Sequence, residues 1–247
     1  MKLGIVSDVH GNLRGLEAVL KDVETVKPDL VVHGGDLVVN GPRPAEVVDR
    51  IRELGWPGIL GNTDEVLWQM PQRIPSFVRA AFERRAAATR ELIGDERTSW
   101  LRMLPLVWRE HGVALVHAAP DDLWKFVGVN APDAELRSTF GPLGEPVAVY
   151  CHIHQPYVRQ MEGLTVANSG SAGAPYDGDA RPSWLLIEDG QPTVRRVDYD
   201  VAAAAAELRE SGYPDAEDLA LALETATFRP PGMPGWMAKL ARLARRL

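Results

Sequence analysis

Three times within its first 64 residues the chain runs through a short apolar stretch and stops at a glycine beside a side chain able to hold a metal ion. Leu3 to Ser7 leads to Asp8, His10 and Gly11. Leu30 to Val32 leads to Gly34-Gly35-Asp36, and Gly58-Ile59-Leu60 leads to Gly61-Asn62. Runs this short and this tightly bounded predict buried strands. Between the first two, Leu13, Leu16, Val19, Leu20 and Val23 recur at spacings of three and four, which predicts an amphipathic helix ended by Pro28. Between the second and third, Ala45 to Leu54 repeats the pattern, with Gly55 as its stop. Strand-helix-strand units of this kind cross over right-handed, so all three carboxyl ends fall on one edge. Ligand sites of open α/β folds lie just outside that edge. Strand alternation further predicts that Asp8 and His10, two residues apart, project to one side. Asn12 follows as a helix cap or a substrate contact.

Downstream, residues 66–104 read as mostly helical, broken by Pro71, Pro75 and Gly94. Val113 to Val116 predicts another buried strand and ends in His117. Residues 121–146 form a Pro/Gly-rich connection carrying Trp124 and Phe126, long enough to suggest a lid or a site wall. Pro146 to Cys151 predicts a strand followed directly by His152-Ile153-His154. Val158–Met161, Leu164–Asn168, Trp184–Glu188 and Thr193–Val197 predict further strands, with a tight turn at Asp189-Gly190.

The polar residues at these strand ends are Asp8, His10, Asp36, Asn62, His117, His152 and His154, four of the six histidines among them. All are hard-to-borderline ligands and none is a thiolate. Seven are too many for one tetrahedral ion and suit two ions sharing a carboxylate, an arrangement that clamps the attacking and leaving oxygens of an in-line displacement. A set of hydrogen-bonded core histidines is the plain alternative for any one of them, but not for four that each follow an apolar strand.

Asp8-x-His10, Gly35-Asp36, Gly61-Asn62, His117 and His152-x-His154 resemble, in order, the signature of calcineurin-like metallophosphoesterases. Asn168-Ser169-Gly170-Ser171 is similar to the Asn-Pro-Gly-Ser turn of the small prokaryotic, phosphodiesterase-like branch. The resemblance runs from Met1 to about Asp200. It implies a four-layer α-β-β-α sandwich of two mixed sheets flanked by helices. It implies one metal ion on Asp8, His10, Asp36 and His154 and a second on Asp36, Asn62, His117 and His152, with Asp36 bridging. Manganese is the first expectation, ahead of iron, zinc or nickel. The activity implied is hydrolysis of a phosphodiester, in one version nucleotide-containing, by a metal-bridging hydroxide. A diadenosine-tetraphosphatase-like hydrolase or phosphomonoesterase is the alternative within the class. A non-catalytic metal-binding scaffold is the alternative outside it.

Three positions depart from the family pattern. Thr63 stands where many members carry a histidine that assists the leaving group, and threonine cannot be that acid at neutral pH. Either Asp64 or water substitutes, or the leaving group must depart unaided; Asn62 and Asp64 are the candidate catalytic side chains. Cys151 replaces a glycine and reads as a small buried residue, and Ser169 replaces a proline. Asn12, Asn62 and Arg181 are the candidate substrate contacts, Arg181 because a guanidinium fork suits phosphate. His33 reads as a core or supporting histidine and His111 as a turn residue.

A formal net charge of -7 argues against a general nucleic-acid coat. No apolar run reaches the length of a membrane span, the N-terminus has no signal-peptide pattern, and a single cysteine suits a reducing compartment. Together these predict a cytoplasmic location. Beyond residue 200 the character changes. The expected division is a metallophosphoesterase domain over 1–200, with a helical excursion at 66–105 and the lid at 119–146. A C-terminal helical extension over 201–247 packs on it. Val201–Ser211 and Asp215–Ala226 predict two helices. Trp236, Leu240, Leu243 and Leu247 then form an apolar stripe beside Lys239, Arg242, Arg245 and Arg246. That stripe is expected to dock on protein, including a second copy of the chain.

Overall fold

The computed structural model describes residues 1–71 and 74–230. The first sheet has the order β2-β1-β8-β9, built from Lys2–Val6 (β1), Leu30–His33 (β2), Ser183–Glu188 (β8) and Gln191–Arg196 (β9). The second has the order β3-β4-β5-β7-β6, from Val107–Glu110 (β3), Val113–Val116 (β4), Val147–Tyr150 (β5), Tyr157–Met161 (β6) and Leu164–Asn168 (β7). Both sheets are mixed. β1 runs parallel to β2 and antiparallel to β8, and β4, β5 and β7 run parallel between antiparallel edges.

Alternation decides the layers. Leu3, Ile5, Val32, Leu185 and Ile187 face inward against Trp108, Leu115, Val149 and Ala167, the core between the two sheets. Val6, Val31, Trp184 and Leu186 face outward, under the helices Leu13–Val26 (α1), Pro44–Glu53 (α2) and Ser76–Arg102 (α4). On the far side, Val116, Ala148, Tyr150 and Val166 are covered by Asp133–Phe140 (α5) and a short 3-10 turn, through Leu136, Phe140 and Leu143. The four-layer α-β-β-α sandwich is the fold that the sequence leads one to expect.

Several details differ from that expectation. Gly58-Ile59-Leu60 is not a ladder strand: a single parallel bridge joins His33 to Gly58. The imidazole of His33 lies flat where a second side chain would stand, and a Cβ on Gly58 would come within 2.3 Å of three of its ring carbons. The backbone can therefore approach β2 only without a side chain there. The segment still delivers Asn62 into a one-turn helix, Asn62–Glu65 (α3). β3 is an unforeseen strand. Its signal was Val107-Trp108, two good strand formers whose Trp108 enters the inter-sheet core. The expected lid at 119–146 largely serves as the outer layer of the second sheet, because Val127, Ala131, Leu136 and Phe140 are buried against it. Trp124 packs edge-on to Phe82 and donates to Glu65, while Phe126 is exposed. Gly94, at φ 72° and ψ 178°, breaks the helix α4 as its position suggested.

Beyond residue 200 the chain forms Val201–Glu210 (α6) and Ala216–Thr225 (α7), a hairpin with its own apolar seam of Ala205, Leu208, Tyr213, Ala220 and Leu223. Glu207 ties it to the body through Arg14 and Arg43. The amphipathic stripe expected over 236–247 lies outside the described residues, and with it the docking role expected for the tail. No helix among the described residues is long and apolar enough to cross a membrane.

The His33–Gly58 contact yields a stability prediction. Gly58→Ala should destabilise the protein by about 1–3 kcal/mol through overpacking. In a His33→Ala background most of that cost should vanish, because the two sites are in direct contact. Urea unfolding of the four proteins of the cycle measures it.

Candidate metal centre

All seven candidate ligands come together at the carboxyl edge shared by β1, β2, β4 and β5. Beyond the strands, the loops are zipped by backbone bonds: Asp8 N donates to Gly35 O, His10 N to Asp36 O and Gly11 N to Leu37 O. The local geometry is not the expected strand alternation. β1 stops at Val6, and Asp8 and His10 lie at φ 54° and 50°, in the left-handed region. Asp36, His152 and His154 do the same at φ 53°, 66° and 55°. Non-glycine residues rarely adopt this conformation, and each costs on the order of 1–3 kcal/mol. Five of the seven candidates therefore sit on strained turns, which aim their side chains off the sheet edge.

Two groups result. One ligand atom from each of Asp8, His10, Asp36 and His154 lies within 4.8 Å of all the others, every residue buried. In the second group, Asn62 Oδ1 lies 2.7 Å from His117 Nε2 and 2.8 Å from His152 Nδ1. Asp36 stands between them. Its Oδ2 is 3.5 Å from His10 Nε2 and its Oδ1 is 3.5 Å from His117 Nε2. Oδ1 also accepts from Thr63 N. His152 and His154, only two residues apart, thus fall in different groups.

The orientation of the rings tests whether a cation fits. His10 Nδ1 is 2.8 Å from Val39 O, and His154 Nδ1 is 2.5 Å from Ala174 O. A carbonyl only accepts, so each Nδ1 carries a proton, and the lone pair of either ring in its neutral form lies at Nε2. Those two Nε2 atoms are 3.1 Å apart, and Asp8 Oδ1, 3.1 Å from His154 Nε2, has no hydrogen-bond donor. With both rings neutral these three atoms all offer lone pairs, which is a donor set suited to a divalent cation. His117 Nδ1 is likewise anchored, 2.8 Å from Gly34 O.

Electrostatics agree. Burial opposes ionisation of Asp36, but the His117 and His10 rings hold its carboxyl well below the ordinary range. Burial likewise opposes ionisation of Asp8, and His154 keeps its carboxyl low. Burial also works against a charge on His117, yet the Asp36 carboxylate pushes it up to about 9. Without metal, a proton on His117 answers the Asp36 charge. Burial, with His117 beside it, pushes His152 down to about 4, and burial lowers His10.

The other candidates separate. Asn12 caps α1 by accepting from Gly15 N and donates to Gly173 O, so both ends of its amide are committed. Arg181 is a surface residue whose guanidinium forks onto Asp179 in its own loop, and none of its contacts among the described residues reaches the cluster. Asp64 is fully buried, and its Oδ1 accepts from Leu37 N and Val38 N. It braces the loop that carries Asp36 and makes no bond to the histidines. His33 is buried with neither ring nitrogen bonded, and burial alone pushes it down to about 3. Cys151 is buried at the end of β5, its thiol pushed up by burial. His111 lies in an exposed turn at φ 57°.

Sequence reasoning missed Ser7 and Tyr176 as supporting residues and named the Asn168–Ser171 turn by resemblance without its role. Ser7 Oγ donates to Asp8 Oδ2 at 2.5 Å, and Ser171 Oγ donates to Asp8 O at 2.6 Å. Asn168 Nδ2 donates to Cys151 O, so the Asn168–Ser171 turn grips the backbone behind both Asp8 and His152. Tyr176 stacks on His154 with ring centroids 4.3 Å apart and 5° between planes. For Ser7 the local signal was a polar residue inside an apolar run.

Comparison with known proteins now bears on this geometry. Residues 1–189 match the family model of the calcineurin-like phosphoesterase superfamily domain. The fold is similar to a metallophosphoesterase from Sphaerobacter thermophilus, with a TM-score of 0.79 and 27% identity, covering 92% of this chain and 99% of that one. In sequence the chain is 25% identical over 236 residues to the uncharacterized protein MJ0912 of Methanocaldococcus jannaschii, covering 86% of this chain and 94% of that protein. It is 24% identical over 216 residues to phosphodiesterase YfcE of Escherichia coli, covering 83% and 98%.

Asp64 gives a pH prediction for the metal-free protein. Burial, reinforced by the Asp36 carboxylate, pushes its carboxyl up to about 7 from 3.8. The folded chain thus binds a proton that the unfolded chain has lost between those values. The stabilising contribution is full below about pH 4 and is lost as pH rises through about 7. Asp64→Asn keeps the acceptor for Leu37 and Val38. It should stabilise the chelator-treated protein at pH 8 by on the order of 2–4 kcal/mol and by much less at pH 4. Urea titrations at the two pH values check it.

Proposed function

The chain belongs to the calcineurin-like phosphoesterase superfamily, and from that premise we propose that it is a dinuclear metal-dependent phosphodiesterase. The observation that carries the reading is the placement of Asp36, whose two carboxylate oxygens face two different histidine groups. Asp8, His10, Asp36 and His154 would hold one ion, and Asp36, Asn62, His117 and His152 the other. Two divalent ions bound there would supply Lewis acidity for the charge developing on the phosphoryl oxygens and bring the pKa of water towards neutrality.

The chain's own residues do the rest. The Nδ1 anchors fix His10, His117 and His154 as Nε2 ligands. An ion held at the second group would take the place of any proton that the Asp36 carboxylate favours on His117, so loading should release acid near neutral pH. Buried Asp8 and Asp36 give the centre a negative balance that a cation can offset. No acid stands at position 63. Thr63 donates its backbone N–H to Asp36, and its hydroxyl is not ionisable near pH 7. Leaving groups must therefore depart largely unaided, which favours activated diesters over monoesters of aliphatic alcohols. The similarity to a phosphodiesterase over most of both chains supports the same class.

Metal analysis of the purified protein, followed by a panel of phosphodiesters and monoesters with manganese added, tests the reading. Two ions per chain and preference for diesters are expected; one ion, or turnover unchanged by chelation, overturns it. Asp36→Asn should empty both positions and lower kcat/KM by roughly 100-fold or more, read by metal content and rate together. Thr63→His should raise turnover most for esters with poor leaving groups, by up to about 10²–10⁴-fold. A plot of rate against leaving-group pKa should therefore become flatter.

A further inference from the structure

The hairpin α6–α7 lies outside the 1–189 match to the family, yet one of its side chains reaches the support of a candidate ligand. Tyr213, in the turn between the two helices, is 6% exposed. Its hydroxyl lies 3.1 Å from Asn40 N, 2.8 Å from Thr89 Oγ1 and 3.3 Å from Arg85 O. Accepting from Asn40 N–H and Thr89 O–H while donating to Arg85 O uses all its capacity. The Asn40 N–H belongs to the same peptide group as Val39 C=O, the acceptor of His10 Nδ1 at 2.8 Å. A peptide group is planar, so holding its N–H also fixes where its carbonyl points. The unit has good reason to need holding. Asn40 lies at φ 84°, and its side chain is braced separately by Arg85, whose Nη1 donates to Asn40 Oδ1 and whose Nε donates to Asp215 in the hairpin.

We infer that Tyr213 is a positioning residue for the metal centre: through the single Val39–Asn40 peptide it fixes the orientation and tautomer of His10. The chain of contacts is Tyr213 Oη, Asn40 N–H, Val39 C=O, His10 Nδ1–H, with the His10 Nε2 lone pair left facing Asp36 and His154. Polarisation along such a chain strengthens each bond. The peptides on the near side of the loop are held independently by Asp64, at Leu37 and Val38, while at the far end Arg85 holds the Asn40 side chain and Tyr213 holds the Val39–Asn40 peptide itself. The inference rests on the proposed two-ion site for its metal arm, while its tautomer arm does not.

The test uses the full chain and Tyr213→Phe, which keeps the ring in the apolar seam and removes only the hydroxyl. Leu208→Ala is the control, because Leu208 is buried in the same seam and makes no side-chain bond to the loop. Manganese binding by calorimetry should show one of two sites weakened about 10–100-fold in Tyr213→Phe, with the other unchanged. Leu208→Ala should lower the melting temperature while keeping both affinities. In the metal-free proteins, long-range proton–nitrogen spectra of the six histidine rings should show His10 protonated at Nδ1 in the parent. In Tyr213→Phe the same ring should show a tautomer mixture. Unchanged affinities with an unchanged His10 tautomer overturn the inference. So does a Leu208→Ala protein that loses the same ion to the same degree. If the parent binds fewer than two ions the two-ion reading fails, and the tautomer comparison still decides the role of Tyr213.

Discussion

Two carboxylates, Asp8 and Asp36, are buried in one cluster, and much of the surrounding structure answers that fact. Like charges in a poorly solvated site raise each other's energy unless something opposes them. Among the described residues no lysine or arginine contacts either group. The opposition comes from imidazoles, from Ser7 and from the Thr63 backbone. A permanent ammonium would neutralise the site for good. Imidazoles, which gain and lose a proton near neutral pH, leave the balance to a charge that can enter and leave. At His117 the Asp36 carboxylate favours a proton despite burial, the alternative to a cation at that position.

Holding the rings in that state takes precise backbone work. The carbonyls of Val39, Ala174 and Gly34 each fix one Nδ1, and they come from three different loops. Each loop is in turn fastened: 36–40 by Asp64 and Tyr213, 168–174 by Ser171 and Asn168, and 33–35 by the inter-sheet packing of Gly34 under Cys151. The left-handed turns at Asp8, His10, Asp36, His152 and His154 belong to the same economy of form. Strain at these positions persists because the neighbouring bonds over-determine them. The two rigid sheets make this feasible, since they fix the strand ends from which every strained turn departs.

The sandwich was legible in the sequence because its signals are periodic. Apolar runs bounded by glycine marked the strands that enter the inter-sheet core, and spacings of three and four marked α1 and α2. The seven ligand candidates were legible because each follows such a run. The geometry that joins them was not. Asp8 and His10 converge through left-handed turns, and no residue-type pattern distinguishes an aspartate at φ 54° from one at the end of an extended strand. Asp64 and Arg181 were read from side-chain chemistry, whereas their roles depend on which neighbour claims their oxygens or nitrogens first: the 37–38 backbone for one, Asp179 for the other. Gly58 misled by composition. It sits in an apolar run, but His33 occupies the space that a regular ladder there would need. Tyr213 could not have been found at all, since its partner lies 173 residues earlier in the chain.

The placement of Cys151 has a practical consequence. It is the chain's one cysteine, sealed between the sheets with its sulfur over Gly34, and burial keeps it in the unreactive thiol form. A thiol reagent can meet it only when the packing around this strand end opens. The rate of its modification under native conditions is thus a built-in clock for that opening. Fluorophores or spin labels attached to cysteines engineered on the surface would report from their own positions, without the native residue first being replaced.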